Sequence, residues 1–189
     1  MTRRLLVVAV ALALAPVLAA CGGGGGTAAA VRATVAADVV PAQIKTSELH
    51  LVPYDTKDVK HAFAPKGART LAEDAKVWEV RKADLLVGAL EVVALGERAD
   101  PADRDDRRSM ISQAIPGTAD RFDVEDVEVY AGRSGQRQLY CWFSNDLLVF
   151  LQLRGTALDG EAIVADLVRH QVTSPSWRSL PPVDEEDEG

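Results

Sequence analysis

The chain has 189 residues, of which 48% are hydrophobic, and this is enough for one domain with its own core. It carries 28 acidic residues against 21 basic ones, so its formal net charge is −7. This balance argues against nucleic-acid binding, which needs a basic stripe. The basic residues are mostly arginine, a bias that resembles proteins of GC-rich genomes such as those of actinobacteria.

Residues 1–20 have the layout of an export signal. Arg3 and Arg4 give a positive start, a nearly pure Leu/Val/Ala run follows from Leu5 to Leu14, and small residues lead up to Cys21. The apolar run is shorter than the ~20 residues of a membrane-spanning helix. The sequence therefore predicts a signal peptide over residues 1–20.

The four residues Leu18-Ala19-Ala20-Cys21 resemble the lipobox of bacterial lipoproteins. The resemblance covers only this first part of the chain. It implies that the sulfur of Cys21 receives a diacylglyceryl group, that the chain is cut before Cys21, and that the protein is lipid-anchored on the extracytoplasmic face of the cell membrane. Two acyl chains anchor stably, whereas one anchors marginally. The alternatives are a signal peptide removed without lipidation, or a membrane helix with an incidental cysteine.

The segment after Cys21 is predicted to be a tether. Gly22 to Gly26 form a flexible, coreless run, and the Ala/Val-rich stretch that follows is a continued spacer or a first helix. Pro41 favours a boundary there, because the residue before proline avoids helical geometry. We therefore expect a lipidated tether over residues 21–44, one globular domain over 45–178 and a disordered acidic tail over 179–189.

Removal of the signal peptide changes both the charge and the cysteine count. Loss of Arg3 and Arg4 leaves 19 basic residues against 28 acidic ones, a net charge of −9. The anchor rather than the acidic domain is therefore expected to hold the membrane. With Cys21 acylated, only Cys141 remains, so no disulfide can form within the chain.

The hydrophobic pattern of the domain predicts strands and two helices. The helices begin at Asp100-Pro101 and at Asp159, where an aspartate suits the helix N-terminus. The strands are expected at Ser47–Tyr54, Val77–Arg81, Leu85–Leu95, Val124–Tyr130, Gln138–Phe143 and Leu147–Arg154. This order predicts an α+β fold, an antiparallel sheet with two helices packed on one face.

The last two strands form a hairpin around Ser144-Asn145-Asp146 in which both faces are apolar. Pairing Phe143 with Leu147 places Cys141 on one face, and the other face is then aromatic, with Tyr140, Trp142 and Phe150. Two interpretations remain open. The aromatic face is covered, which makes the hairpin central to the sheet, or it is an open surface for an apolar ligand or a partner.

Candidate catalytic and metal-binding residues are few. The three histidines are His50, His61 and His170, and no spacing among them predicts a metal or catalytic site. Cys141 lies in an apolar strand, whereas a reactive cysteine needs an electropositive, partly exposed setting, so we expect an inert core residue.

A cluster of aspartates offers a calcium loop as an alternative to a helix start. The glycine and the terminal bidentate glutamate of such a loop are missing, and arginines interleave with the acids, so the helix start is favoured. The acids are Asp100, Asp103, Asp105 and Asp106. We expect no metal, no cofactor and no enzymatic activity.

The sequence thus predicts a lipoprotein whose domain is a binding or scaffolding module, with an envelope protein or a small apolar molecule as partner. One rival is a carrier that holds an apolar small molecule or a lipid between the sheet and the helices. The second rival is an envelope enzyme, which needs a histidine next to a carboxylate. The pairs in question are His50 or His61 with Asp84 or Glu91.

Overall fold

The computed structural model describes residues 34–54, 72–97 and 99–180, and these belong to one compact unit. They form an eight-stranded antiparallel sheet and two α-helices, which confirms the predicted α+β class. The predicted signal peptide, Cys21, His61 and the acids of residues 184–188 lie outside the described residues. Within the described residues, no helix is both long and apolar enough to cross a membrane.

The sheet consists of two consecutive four-stranded meanders, which are joined where the last strand of the first pairs with the last strand of the second. The strand order is β1-β2-β3-β4-β8-β7-β6-β5, and every neighbouring pair is antiparallel. Strands β4 and β8 form the centre and are buried along most of their length. The strands are β1 Gln43–Ile44, β2 Leu49–Tyr54, β3 Ala72–Lys82, β4 Leu85–Leu95, β5 Asp120–Val124, β6 Val127–Ser134, β7 Arg137–Phe143 and β8 Leu147–Arg154.

Both helices begin where an aspartate caps them. Helix α1 spans Arg104–Ala114, and Asp103 Oδ1 accepts hydrogen bonds from the backbone N–H groups of Asp105 and Asp106 at 2.9 Å. Helix α2 spans Gly160–Val172 and is capped by Asp159. The first helix thus begins three residues later than Asp100-Pro101, because Asp103 satisfies its first amides. The aspartate cluster is accounted for by this helix start.

Each helix covers a face of the sheet, and the two faces are different. Helix α2 packs Ile163, Val164 and Leu167 against the cluster that contains Trp142 and Val149. Helix α1 packs Met110 and Ala114 against the cluster of Cys141, Phe143 and Phe150. The two sets alternate along β7 and β8, so they point to opposite sides of the sheet. The central strands are apolar on both sides and therefore need cover on both.

The sheet curls around α2. This helix contacts β1 at one edge of the sheet and β5 at the other. An open sheet whose two edge strands touch the same helix must be concave on that side, as the right-handed twist of strands allows. Helix α2 is therefore the centre of the larger core.

The folded domain begins earlier than the predicted boundary at Lys45. Val35, Val39 and Ile44 are almost wholly buried in the larger core. The backbone N–H of Val35 donates to Asp74 Oδ2 at 2.9 Å. The prediction of a spacer through residue 44 is wrong for residues 34–44, because a few spaced valines suffice to dock the segment. At the other end, Leu180 packs against the cluster of Cys141.

Candidate functional site

Trp142 and Tyr140 lie between the sheet and α2 rather than on an open surface. Trp142 is 0% exposed, and its indole Nε1–H donates to Gln171 Oε1 at 2.6 Å. The hydroxyl of Tyr140 donates to Gln138 Oε1 at 2.8 Å. Burial, with a smaller contribution from the Glu161 carboxylate, raises the pKa of Tyr140. Of the two interpretations left open by the sequence, these residues follow the covered one.

Phe150 lies on the opposite face from Trp142, so the predicted grouping of the three aromatic residues is wrong. Phe143 pairs with Leu148, not with Leu147, and Phe150 therefore lies opposite Cys141. The hairpin loop is one residue shorter than expected: the N–H of Ser144 donates to the carbonyl of Leu147 at 2.9 Å. A shift of one residue moves every side chain of a strand to the other face. Phe150 consequently packs in the cluster with α1.

Two buried nitrogen donors in the described core around Trp142 have no acceptor. Within the described part of the chain, Gln171 Nε2 and Trp177 Nε1 are buried and make no hydrogen bond. The indole of Trp142 fixes the orientation of the Gln171 amide, since a donor must face the amide oxygen. A buried unpaired donor is costly, so these two groups are the feature of the core that packing alone does not explain.

Cys141 is fully buried on the face covered by α1. Burial raises the pKa of its thiol well above the ordinary value, because the thiolate has no solvation there. The group that acts as a nucleophile is the thiolate, and it is not populated in this environment near neutral pH.

Of the groups in the enzyme hypothesis, His50 and Glu91 lie far apart, whereas Asp84 lies in the turn that follows β3, three residues beyond Arg81. His50 lies exposed on β2 opposite Arg81, and Arg81 pairs with Leu86. Glu91 is five residues farther along β4, or about 17 Å, and is buried within the sheet. His170 Nε2 donates to the carbonyl of Asp38 at 2.8 Å. No three metal-ligating side chains come together among residues 34–54, 72–97 and 99–180.

One charged cluster joins α1 to the β5–β6 edge. Glu128 accepts a hydrogen bond from Arg121 at 2.8 Å, lies 3.8 Å from the buried Arg107, and accepts the hydroxyl of Tyr130. Burial, with the neighbouring Glu128 carboxylate, raises the pKa of Tyr130. Each charge has an opposite partner, so this cluster serves to hold the helix on the sheet.

The exposed apolar residues were not foreseen from the sequence. Among the described residues, the large hydrophobic side chains in solvent are Leu85, 71% exposed, Leu86, 38% exposed, and Val52, 41% exposed. Leu85 and Leu86 are the first two residues of β4, directly after the turn Ala83-Asp84, and we call residues 82–86 the hairpin tip. The length of the apolar run from Leu85 to Leu95 could have indicated this exposure. Strand β8 pairs with β4 only from Gly88 onward, so Leu85 and Leu86 extend beyond the end of β8.

Unpaired arginines lie at the same end of the sheet. Arg137 at the start of β7 is directly opposite Arg154 at the end of β8, and both are exposed. Within the described residues neither guanidinium has an ion-pair partner. Like charges directly opposite on neighbouring strands destabilise a sheet, so folding gives no reason for this pair.

The chain matches no protein-family model, and comparisons with curated proteins and with solved structures give no match. The features of this chain that bear on function are the lipobox-like residues Leu18-Ala19-Ala20-Cys21, the buried core around Trp142 and the exposed hairpin tip.

Proposed function

We propose that the protein is a lipoprotein anchored through Cys21 on the extracytoplasmic face of the cell membrane, and that its domain is a binding or scaffolding module of the envelope. The anchor is supported by residues 1–21, where the positive start, the apolar run, the small residues and the thiol occur in the order that lipidation requires. The described residues begin at residue 34, so 12 residues of sequence separate Cys21 from them.

One observation favours a module that binds its partner through its outer surface. The aromatic residues predicted as a possible ligand face are buried in the core. Trp142 is fully buried and hydrogen-bonded to α2, and Phe150 lies on the other side of the sheet. No single cavity can be lined by both. The groups that remain for recognition are on the outside of the domain.

A carrier of an apolar molecule is the second candidate, and one observation favours it. The unpaired N–H groups of Gln171 and Trp177 are buried in the larger core, where an acceptor atom on a bound molecule would satisfy them. Native mass spectrometry of the protein purified from cells tests this candidate. A retained molecule that disappears in the Gln171→Leu variant would favour the carrier over the surface module.

The anchor is tested by the Cys21→Ala variant in cells. We expect it to lose fatty-acid labelling and to move from the membrane fraction to the soluble fraction, because no other thiol lies at the cleavage site. Gly23→Ala is the matched control, since it changes a neighbouring residue but keeps the thiol. Continued labelling of the Cys21→Ala chain would contradict the lipobox.

A further inference from the structure

We propose that the hairpin tip, residues 82–86, is a second membrane contact that inserts Leu85 and Leu86 into the lipid surface beside the anchor. The inference rests on the proposed function, because it assumes a domain tethered at Cys21. It adds a site on the domain itself and names a lipid bilayer as the partner of that site.

The tip exposes two large apolar side chains at the end of a hairpin. Leu85 is 71% exposed and Leu86 is 38% exposed, and they are successive residues at the end of a hairpin. Successive residues of a strand point to opposite sides. A flat protein surface covers only one side of such a tip, whereas a lipid surface surrounds the tip and covers both.

Basic residues lie close to the two leucines of the tip. Lys82 belongs to the tip, and the unpaired Arg137 and Arg154 lie at the same end of the sheet. Arg81 is already paired with Glu79 at 2.7 Å, and Asp84 is the single acid of the tip. Anionic lipids attract basic residues close to the membrane surface. At this end of the sheet, Lys82, Arg137 and Arg154 have no ion-pair partner among the described residues, and their charge is offset in part by Asp84 and by Glu48, which precedes the Leu49 opposite Lys82. The attraction to anionic lipid therefore depends on the Arg137–Arg154 pair.

The leucines and the arginines lie at different distances from the end of the hairpin. Gly88 pairs with Leu153, so Arg154 is level with Val87, and Leu85 extends two residues or about 7 Å beyond it. Apolar side chains of interfacial segments reach about 5–10 Å into the boundary between headgroups and acyl chains. With the leucines at that depth, the arginines lie among the phosphate groups.

The chain between Cys21 and Val35 is long enough to span the distance from the start of the described domain to the tip. Val35 is fixed to Asp74 on β3, and Asp74 is eight residues or about 26 Å from Lys82 at the tip. A chain segment of 14 residues extends to at most about 48 Å, which exceeds this separation. An acyl group on Cys21 and the tip can therefore contact the same membrane, and attachment through Cys21 would raise the effective concentration of the tip at the lipid surface.

The experiment uses the full acylated chain, purified from membranes and reconstituted into phosphatidylcholine vesicles with and without phosphatidylglycerol. An environment-sensitive fluorophore is attached at Ala83→Cys, which leaves both leucines in place, or at Val52→Cys as the matched exposed position. Cys141 is buried and does not compete for the label. Quenching by brominated lipid reports contact with acyl chains, and quenching by iodide reports contact with water.

We expect brominated lipid to quench the probe at residue 83 several-fold more than the probe at residue 52. In the Ala83→Cys chain, Leu85→Ser with Leu86→Ser should reduce that quenching at least about fivefold, because the apolar area that drives insertion is lost. Val52→Ser should leave it unchanged. Arg137→Gln with Arg154→Gln should abolish the increase that phosphatidylglycerol produces.

Three results would overturn the inference. Equal lipid quenching at residues 83 and 52 means that the tip stays in water. A probe at residue 83 that is shielded from iodide but insensitive to brominated lipid means that the tip contacts protein, either another chain or a second copy. An unchanged effect of the leucine substitutions means that these side chains do not insert. If intact mass shows no acyl group, the proposed function fails; an acylated chain with an unquenched tip defeats this inference alone.

Discussion

Replacement of Trp142 measures directly whether the domain is closed around its largest aromatic residue. Trp142→Ala removes a side chain that is 0% exposed and leaves Gln171 Oε1 without its donor. Truncation of a buried tryptophan costs about 3–5 kcal/mol, and a polar group left unsatisfied costs about 1–3 kcal/mol. We therefore expect a loss of at least about 4 kcal/mol in the free energy of unfolding, or failure to fold.

Two milder substitutions separate packing from hydrogen bonding. Trp142→Phe keeps an aromatic ring but removes the indole N–H, and Gln171→Leu removes the acceptor together with the unpaired Nε2. In a double-mutant cycle of these two changes, we expect a coupling energy of about 1 kcal/mol or more, since the residues are in contact. Leu85→Ala, at a residue 71% exposed, is the control and should change stability by less than about 0.5 kcal/mol.

The assay is urea unfolding of the chain that begins at Arg32, with unfolding monitored by tryptophan fluorescence and by circular dichroism. A loss below about 1 kcal/mol for Trp142→Ala would refute the closed core, because truncation at an open surface creates no cavity. An absence of coupling between Trp142 and Gln171 would refute the hydrogen bond but not the packing.

Three further predictions concern individual positions. Gly160→Ala should destabilise the fold by about 1–3 kcal/mol in urea unfolding, because a Cβ there would lie 2.2 Å from the Tyr140 hydroxyl oxygen. Glu161→Ala on the same helix is the exposed control, and equal effects would contradict this reason. Hydrogen bonds from the two serines that follow α2 lower the pKa of Asp38 from 3.8 to about 2. The stability that this carboxylate adds is therefore present above about pH 4 and lost as pH falls toward 2. Unfolding measured across that range should show the difference between the wild type and Asp38→Asn shrinking, and a constant difference would contradict the assignment. Cys141→Ser should cost about 1–3 kcal/mol by burying a hydroxyl without a partner, and the native thiol should resist alkylation that proceeds rapidly in urea.

The sequence predicted the elements of the sheet better than their pairing. The α+β class, both helices and the strands near β4, β7 and β8 followed from hydrophobic periodicity and aspartate caps. The register of the β7–β8 hairpin did not, because it depends on one hydrogen bond. Ser144 closes a two-residue turn with Leu147, and this moved Phe150 to the other face.

The start of the domain and the elements that cover each face of the sheet could not be predicted from the sequence, for a different reason. Val35 and Val39 are separated only by Ala36, Ala37 and Asp38, and two valines among such residues do not distinguish a spacer or an isolated helix from a segment docked on the core. Apolar residues on both faces of β7 left open whether the aromatic face is covered or exposed, and they did not tell which element would cover it. The exposed tip depends on where β8 stops beside β4, and that stop is set by pairing between distant segments.

The proposed lipid anchor is tested most directly by intact and peptide mass spectrometry of the protein extracted from cell membranes. We expect a mature N-terminus at Cys21 with a diacylglyceryl group on its sulfur and no residue of the segment 1–20. An N-terminus at any other residue, or an unmodified thiol at Cys21 in the membrane-extracted protein, would contradict it.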